Sequence, residues 1–293
     1  MLTFAQIVDE AKLPKGAVSI MPMTRQTGDR MVTDERFKLL SFTGSPNVGW
    51  DMKSRAGKKK VVLELGGNAG VLVDQDADLD LAVARSRVGA FSYAGQVCIS
   101  VQRIYIHRAR FDEFTEKFLQ AVGQIKEGDP LDPSTDLGPM IEEGAAKRSE
   151  EWVKQAVQEG ARVLTGGKAH GRFFQPTVLV DAPRTSFVCS REAFAPLVNL
   201  FPVDSFAEGL AQINDSVFGL QAGVFTGSLE HALRAFETLE VGGVMINDIP
   251  TYRIDHMPYG GVKDSGLSRE GLRWAIEDMT EPRLMVFNRV PAP

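Results

Sequence analysis

Two residues in this sequence have the types and settings of reacting groups. Cys98 stands in Gly95-Gln96-Val97-Cys98-Ile99-Ser100, where a helix-like run gives way to a strand-like one. Junctions of that kind are where site residues tend to be carried. Backbone N–H dipoles at such a junction are expected to lower the thiol pKa, and a thiolate attacks carbonyl carbon near neutral pH. The same residue also fits a small hydrophobe packed in a core. Glu64 sits between Leu63 and Leu65, ahead of Gly66-Gly67, at the end of an apolar strand. Burial there raises a carboxyl pKa toward the range of a general base, whereas the polar face of a half-exposed strand leaves it in water. Cys189, in Phe187-Val188-Cys189-Ser190, has no comparable setting and reads as packing.

Three further segments have the composition of ligand contacts. Phe42-Thr43-Gly44-Ser45 runs from a strand through a glycine into a helix start, whose free N–H groups attract anions, although no GxGxxG pattern is present. Glu192-Ala193-Phe194-Ala195-Pro196 sets a carboxylate suited to ribose hydroxyls beside a ring suited to a flat ligand. Pro258-Tyr259-Gly260-Gly261-Val262-Lys263-Asp264-Ser265-Gly266 lets backbone approach a site closely. Each is equally compatible with an ordinary turn.

The elements that must position these residues alternate between helical and strand periods. Strands are expected at 17–21, 38–42, 61–65, 70–73, 99–106, 162–164, 177–180, 197–201, 222–225, 244–246 and 284–287. Thr3 and Gln6 have capping-box spacing, with Phe4, Ile7, Val8 and Ala11 on one helical face. Further helices are expected after Pro46, over 79–93 from an Asp78 cap, and at 111–125, 144–158, 205–214, 229–239 and 269–279. Single helices between strands favour parallel βαβ units, so the fold class is α/β. The stretch 128–139 reads as an ordered surface loop.

Composition narrows the function classes. The 293 residues carry Lys+Arg 33 against Asp+Glu 38, a net charge of −5, which argues against a nucleic-acid or anionic-membrane binder. The basic run Lys53, Arg55, Lys58, Lys59, Lys60 lacks interleaved aromatics and reads as a solvated face. No apolar run approaches the ~20 residues of a membrane span, and Asp9 and Glu10 interrupt the N-terminus as a secretory signal. The two cysteines and four histidines show no metal-ligand spacing, so no metal is expected. A cytoplasmic, reducing location fits this usage.

Taken in order along the chain, Phe42-Thr43-Gly44-Ser45, Glu64-Leu65-Gly66-Gly67, Gly95-Gln96-Val97-Cys98, Glu192-Ala193-Phe194-Ala195-Pro196 and Pro258-Tyr259-Gly260-Gly261-Val262-Lys263 resemble the aldehyde dehydrogenase superfamily. Gln96-Val97-Cys98-Ile99-Ser100 with Arg253-Ile254-Asp255-His256 is most similar to its lactaldehyde and non-phosphorylating glyceraldehyde-3-phosphate dehydrogenase branch. The resemblance implies a parallel-sheet catalytic domain over 67–265. A truncated Rossmann-like cofactor-domain remnant would precede it over 1–66, and a C-terminal helix and oligomerisation strand would follow over 266–293. It implies Cys98 as nucleophile and Glu64 as general base in an NAD- or NADP-dependent oxidation of a small aldehyde. Gly44 and Ser45 would lie against the cofactor pyrophosphate and Glu192 against the nicotinamide ribose, with Phe194 and Gly66 along the nicotinamide passage. Arg253, with His256 as a second donor, would clamp the anionic end of the substrate, since a guanidinium matches carboxylate or phosphate oxygens. The strand at 283–288 would complete a sheet in a neighbouring subunit, giving a homodimer or homotetramer.

Two departures stand out. Ala195 replaces a usual glycine, a change expected to be tolerated. The family's Pro-Trp-Asn and Lys-Pro segments have no counterpart, because none of Trp50, Trp152 and Trp274 follows a proline or precedes an asparagine. The side-chain oxyanion donor and the adenosine-side lysine are therefore expected upstream of these 293 residues. Turnover of this chain alone is expected to be impaired, and the alternative is a fragment that folds and assembles but binds no dinucleotide.

Overall fold

The computed structural model describes residues 1–289. The chain opens with helices α1 (Leu2–Glu10) and α2 (Arg25–Thr33), then strand β1 (Leu39–Thr43), helix α3 (Pro46–Arg55) and strand β2 (Lys60–Glu64). β1 and β2 pair in parallel, with Thr43 opposite Glu64, so this βαβ unit delivers Gly44 and Glu64 to one end of the pair.

The larger unit continues with β3 (Ala69–Val73), α4 (Leu79–Phe91), β4 (Val101–His107), α5 (Arg108–Val122), α6 (Glu143–Gln158) and β5 (Arg162–Thr165). A small hairpin of β6 (Ala169–His170) and β7 (Phe173–Phe174) leads to β8 (Thr177–Val180), the single turn α7 (Phe187–Ser190), β9 (Leu197–Val203) and α8 (Phe206–Asn214). Then follow β10 (Phe218–Gly219), β11 (Gln221–Phe225), α9 (Leu229–Thr238), β12 (Gly243–Ile246), β13 (Val262–Lys263), β14 (Gly266–Leu267) and α10 (Leu272–Met279). Seven strands form one sheet in the order β12-β11-β3-β4-β9-β8-β5, parallel throughout except β5 on β8.

The strand period of two fills both faces of this sheet. Val71, Val73, Ile104, Ile106, Val198 and Leu200 pack under α4 and α5 with Phe114 and Phe118. Leu72, Tyr105 and Val203 point the other way, onto Phe206, Leu210 and Ile213 of α8. Burial on both faces explains why these strands read as continuous apolar runs. β14 adds antiparallel to β2, which ties the end of the chain to the first βαβ unit. Among the described residues no helix is long and apolar enough to cross a membrane.

Several expectations fail. Residues 17–21 form no strand and are mostly exposed, since among the described residues β1 pairs only with β2 and offers them no ladder. α1 starts at Leu2, so Thr3 lies inside the helix rather than capping it, and none of its residues is buried. α2, which the apolar pattern does not announce, is capped by Thr24 accepting from the Thr27 N–H at 3.3 Å. The expected terminal strand is absent: residues 281–289 have no regular structure, and Leu284, Met285, Val286 and Phe287 are exposed. The helix from the Asp78 cap ends at Phe91, because Tyr93, Ala94 and Gly95 all take left-handed backbone (φ 54°, 54° and 65°).

Candidate active site

Cys98 lies on the irregular segment between that left-handed turn and β4, at the N-terminal end of the parallel sheet. Glu64 is the last residue of β2 and is 4% exposed. Two glycines hold the two together. A Cβ on Gly67 would sit 2.5 Å from the Cys98 carbonyl, and one on Gly66 would overlap the Glu192 carboxylate. The Gly67 N–H donates to Glu192 Oε1 at 3.0 Å. Cys98, Glu64 and Glu192 therefore meet around Gly66-Gly67, a meeting that side chains at those positions would prevent.

The surrounding polar groups fix this arrangement. The buried Gln102 of β4 donates to the carbonyls of Val188 and Arg191 and accepts from the Ala193 N–H, so it holds the loop that carries Glu192. The Ser265 hydroxyl donates to the Gly66 carbonyl at 2.7 Å, and the Ser265 carbonyl accepts from the Leu65 N–H. Gly44 donates its N–H to the Glu64 carbonyl at 3.1 Å. Ser45 is the N-cap of α3 without capping through its hydroxyl, and Pro46 follows at the first helical position.

Burial dominates the electrostatics. Glu64 is pushed from its ordinary 4.5 to about 8, first by desolvation and then by the Glu270 carboxylate, against the opposing pull of Arg253 and Arg269. Neither of its oxygens has a hydrogen-bond partner among the described residues. A buried carboxyl without partners is left open to hydrogen-bond and exchange a proton with a group that enters the site. Glu192 is pushed up to about 7 by burial, against the Gly67 hydrogen bond.

Cys98 departs from expectation. Its pKa is raised rather than lowered, because burial outweighs the hydrogen bond with Tyr259, and Glu192 and Glu64 add to the penalty. The Tyr259 hydroxyl lies 2.9 Å from Cys98 Sγ. Cys189 is buried in the core, with its thiol pushed up to about 12.

The substrate-end candidates are placed differently from one another. Arg253 Nη2 is 2.6 Å from Glu270 Oε2, and its guanidinium stacks 4.0 Å over the Tyr259 ring, so it is already paired rather than free. His256 is exposed on the same loop. Phe194 is partly exposed with φ +50°. The residues that sequence reading missed are Tyr259, Gly260, Glu270 and Gln102. Tyr259 and Gly260 stood inside a quoted motif, but their closeness to Cys98 and Glu64 spans the whole fold.

A nicotinamide dinucleotide fits the groups that could hold it. Glu192 uses Oε1 for Gly67 and has no protein donor on Oε2 among the described residues. The missing side chain of Gly66 leaves the Glu192 carboxylate room to sit against the backbone there. No three His, Cys, Asp or Glu residues gather as a metal site among the described residues.

The model of the aldehyde dehydrogenase family matches residues 1–285. The chain belongs to the aldehyde dehydrogenase family. It is 44% identical over 288 residues to 3-sulfolactaldehyde dehydrogenase of Priestia aryabhattai, covering 98% of this chain and 60% of that one. Aldehyde dehydrogenase 21 of Physcomitrella patens, solved with the reaction product succinate, superimposes with a TM-score of 0.97 at 47% identity, over 100% of this chain and 61% of that one. Glyceraldehyde-3-phosphate dehydrogenase of Methanocaldococcus jannaschii, solved with NADP, gives 0.92 at 39% identity, over 95% and 62%. The chain thus spans about three fifths of the length of these aldehyde dehydrogenases.

Proposed function

We propose that Cys98 is the nucleophile and Glu64 the general base in the NAD- or NADP-dependent oxidation of a small aldehyde to its carboxylic acid. The observation that carries this is the meeting of Cys98, Glu64 and Glu192 around Gly66-Gly67, with both Glu64 oxygens unpartnered. The chemistry a bound NAD or NADP supplies is a hydride acceptor. Gly44 and Ser45 would lie against its pyrophosphate, Glu192 would bind the nicotinamide ribose, and Phe194 and Gly66 would line the nicotinamide passage. The Cys98 sulfur adds to the carbonyl carbon and gives a thiohemiacetal. The thioester left after hydride loss is hydrolysed by a water whose proton Glu64 takes, and the acid departs with return of the thiol.

Two expectations test this reading. Iodoacetamide is expected to label Cys98 faster than Cys189, since Cys98 is partly accessible and Cys189 lies in the core. Mass-spectrometric mapping that finds Cys189 labelled first overturns the assignment. The purified 293-residue chain is expected to hold NAD and NADP weakly and to form little NADH, because the family's Lys-Pro segment, which the resemblance places on the adenosine side, has no counterpart in it. Robust NADH formation by this polypeptide would refute the weak-binding part alone.

Arg253 and His256 are proposed to favour aldehydes with an anionic end. Arg253, Arg269 and Glu270 line a cavity of about 310 Å³ together with Leu39, Ser41 and Val62, so the guanidinium borders open space on that side. To bind there it must compete with Glu270. In an active form, Arg253→Ala is expected to raise KM for an anionic aldehyde about tenfold and leave a neutral one of similar size unchanged. Equal effects on both would make Arg253 structural. The exposed Leu284–Phe287 segment and the edge strand β12 support a homodimer or homotetramer built by strand addition. Sedimentation that shows only monomer at micromolar concentration excludes it.

A further inference from the structure

Tyr259 is more firmly built into the site than a lining residue needs to be. It is 3% exposed, and its backbone pairs with Glu270 in both directions, the Tyr259 N–H donating at 3.0 Å and the Tyr259 carbonyl accepting at 2.5 Å. Its ring is covered by the Arg253 guanidinium, which Glu270 in turn holds. Gly260 follows directly, and a Cβ there would come within 2.8 Å of Glu64 Oε1. One short loop therefore sets a phenol hydroxyl on the Cys98 sulfur and leaves room for the Glu64 carboxyl. Aromatic packing alone does not account for a hydroxyl 2.9 Å from that sulfur, since phenylalanine would fill the same space.

We propose that Tyr259 is a further catalytic residue of this site, its hydroxyl donating first to the Cys98 thiolate and then to the oxyanion that forms when the sulfur attacks. The proposal rests on Cys98 being the nucleophile. In the resting site the sulfur has few allies. Burial disfavours its charge, and the Glu64 and Glu192 carboxyls face it from β2 and from the loop ahead of β9. Arg253 lies behind the Tyr259 ring and Arg269 beside Glu64, so neither gives the sulfur a direct donor. Besides its own backbone N–H, the hydroxyl of Tyr259 is the group that favours the charged thiol. Burial, together with Cys98 and Glu64, holds the phenol far above its ordinary pKa, so it stays a donor throughout the working range.

The switch between acceptors follows from where the electrons go. As the C–S bond forms, a sulfur lone pair becomes the bonding pair and the carbonyl π pair moves to oxygen. The sulfur loses its negative charge and most of its power to accept. An oxyanion appears two bonds from the sulfur, and it is the acceptor to which the hydroxyl would then turn. The Tyr259 proton stays on Tyr259 throughout. When the tetrahedral adduct of the thioester later collapses, the sulfur leaves as a thiolate and the hydroxyl returns to it.

Two reagents separate the two roles. Alkylation of Cys98 by iodoacetamide passes through no oxyanion, whereas acylation by p-nitrophenyl acetate does. In the 293-residue chain, Tyr259→Phe is expected to slow Cys98 alkylation near pH 7 about tenfold and to move its pH midpoint up by roughly one unit, the scale of one hydrogen bond to a charged group. The acylation burst is expected to fall further, by about a hundredfold. Cys189 labelling, read in the same digest, is expected to stay slow and so reports an intact fold.

Unchanged alkylation and acylation overturn the proposal, and equal losses in both overturn its oxyanion half. Should Tyr259→Phe expose Cys189, site-specific fluorotyrosine at 259 replaces it. That more acidic phenol is expected to lower the alkylation midpoint, and a midpoint that stays put overturns the proposal. Wild-type Cys98 that resists both reagents refutes the nucleophile itself, an outcome distinct from failure of Tyr259.

Discussion

Replacing Glu64 with Gln is expected to leave Cys98 reactive and to stall the chain as its acyl-enzyme. With p-nitrophenyl acetate the burst persists, while the steady state that follows falls by about two to four orders of magnitude, the usual worth of a positioned general base. The wild-type steady state rises with pH as Glu64 ionises, levelling above about 8. The variant loses that limb. A steady state unchanged in Glu64→Gln would remove Glu64 from the mechanism.

The same substitution carries a stability consequence of opposite sign. Glu64 ionises near 4.5 in the unfolded chain and near 8 in the folded one, so between those values the native state binds the extra proton. Stability from this group is therefore greatest below pH 4.5 and declines as pH rises to 8, after which the full cost of the buried charge is present. Gln carries no charge, and near pH 9 the variant is expected to be roughly 2–4 kcal/mol more stable than wild type, while near pH 5 the two nearly coincide. Urea titrations at the two pH values read the difference. Glu192, raised to about 7, contributes a decline of the same sign to both proteins and cancels in the comparison. A buried carboxyl that weakens its own fold above pH 8 fits the proposal that Glu64 is held for chemistry.

How much of this was legible depends on the range of each interaction. The strands of the large sheet were readable because burial on both faces makes them continuous apolar runs, and the Asp78 cap is set by its own backbone. Residues 17–21 and 283–288 carried the same apolar signal and form no strand, since a strand exists only where a neighbour supplies its ladder. Glu64 betrayed itself by lying between two leucines. Tyr259, Glu270 and Gln102 gave no such sign, because their roles depend on partners in distant parts of the chain, as with Tyr259 and Cys98, 161 positions apart. The direction of the Cys98 shift is hidden from the sequence for a related reason. Local N–H dipoles are visible in sequence, but the two carboxyls and the burial that outweigh them are not.

Gly95→Ala is expected to cost about 3–5 kcal/mol, although the change adds one methyl group and removes no contact. Gly95 is the third of three left-handed residues, after Tyr93 and Ala94, and this turn carries the chain from α4 to Cys98. The positive φ of 65° is not the main obstacle, since Ala94 already adopts 54°. An L side chain in that region costs roughly 1–2 kcal/mol. The obstacle is the neighbour. A Cβ on Gly95 would overlap the Ala195 carbonyl group and approach the Pro196 nitrogen at 2.6 Å. Those are backbone atoms at the entry to β9, buried in the sheet, and they cannot step aside as a flexible side chain would. Gly57 supplies the matched control, with the same φ of 65° and nothing within 4 Å of the added methyl. Thermal unfolding is expected to show Gly57→Ala within a few degrees of wild type and Gly95→Ala lower by roughly 6–20 °C, at about 2–4 °C per kcal/mol for a chain of this size. Because relief requires the turn to swing away from Ala195, Cys98 moves with it, and the acylation burst should fall even at temperatures where the variant remains folded. Equal shifts in the two variants would mean that backbone conformation, and not the close approach of the Cys98 turn to the Glu192 loop, sets the requirement for glycine at position 95.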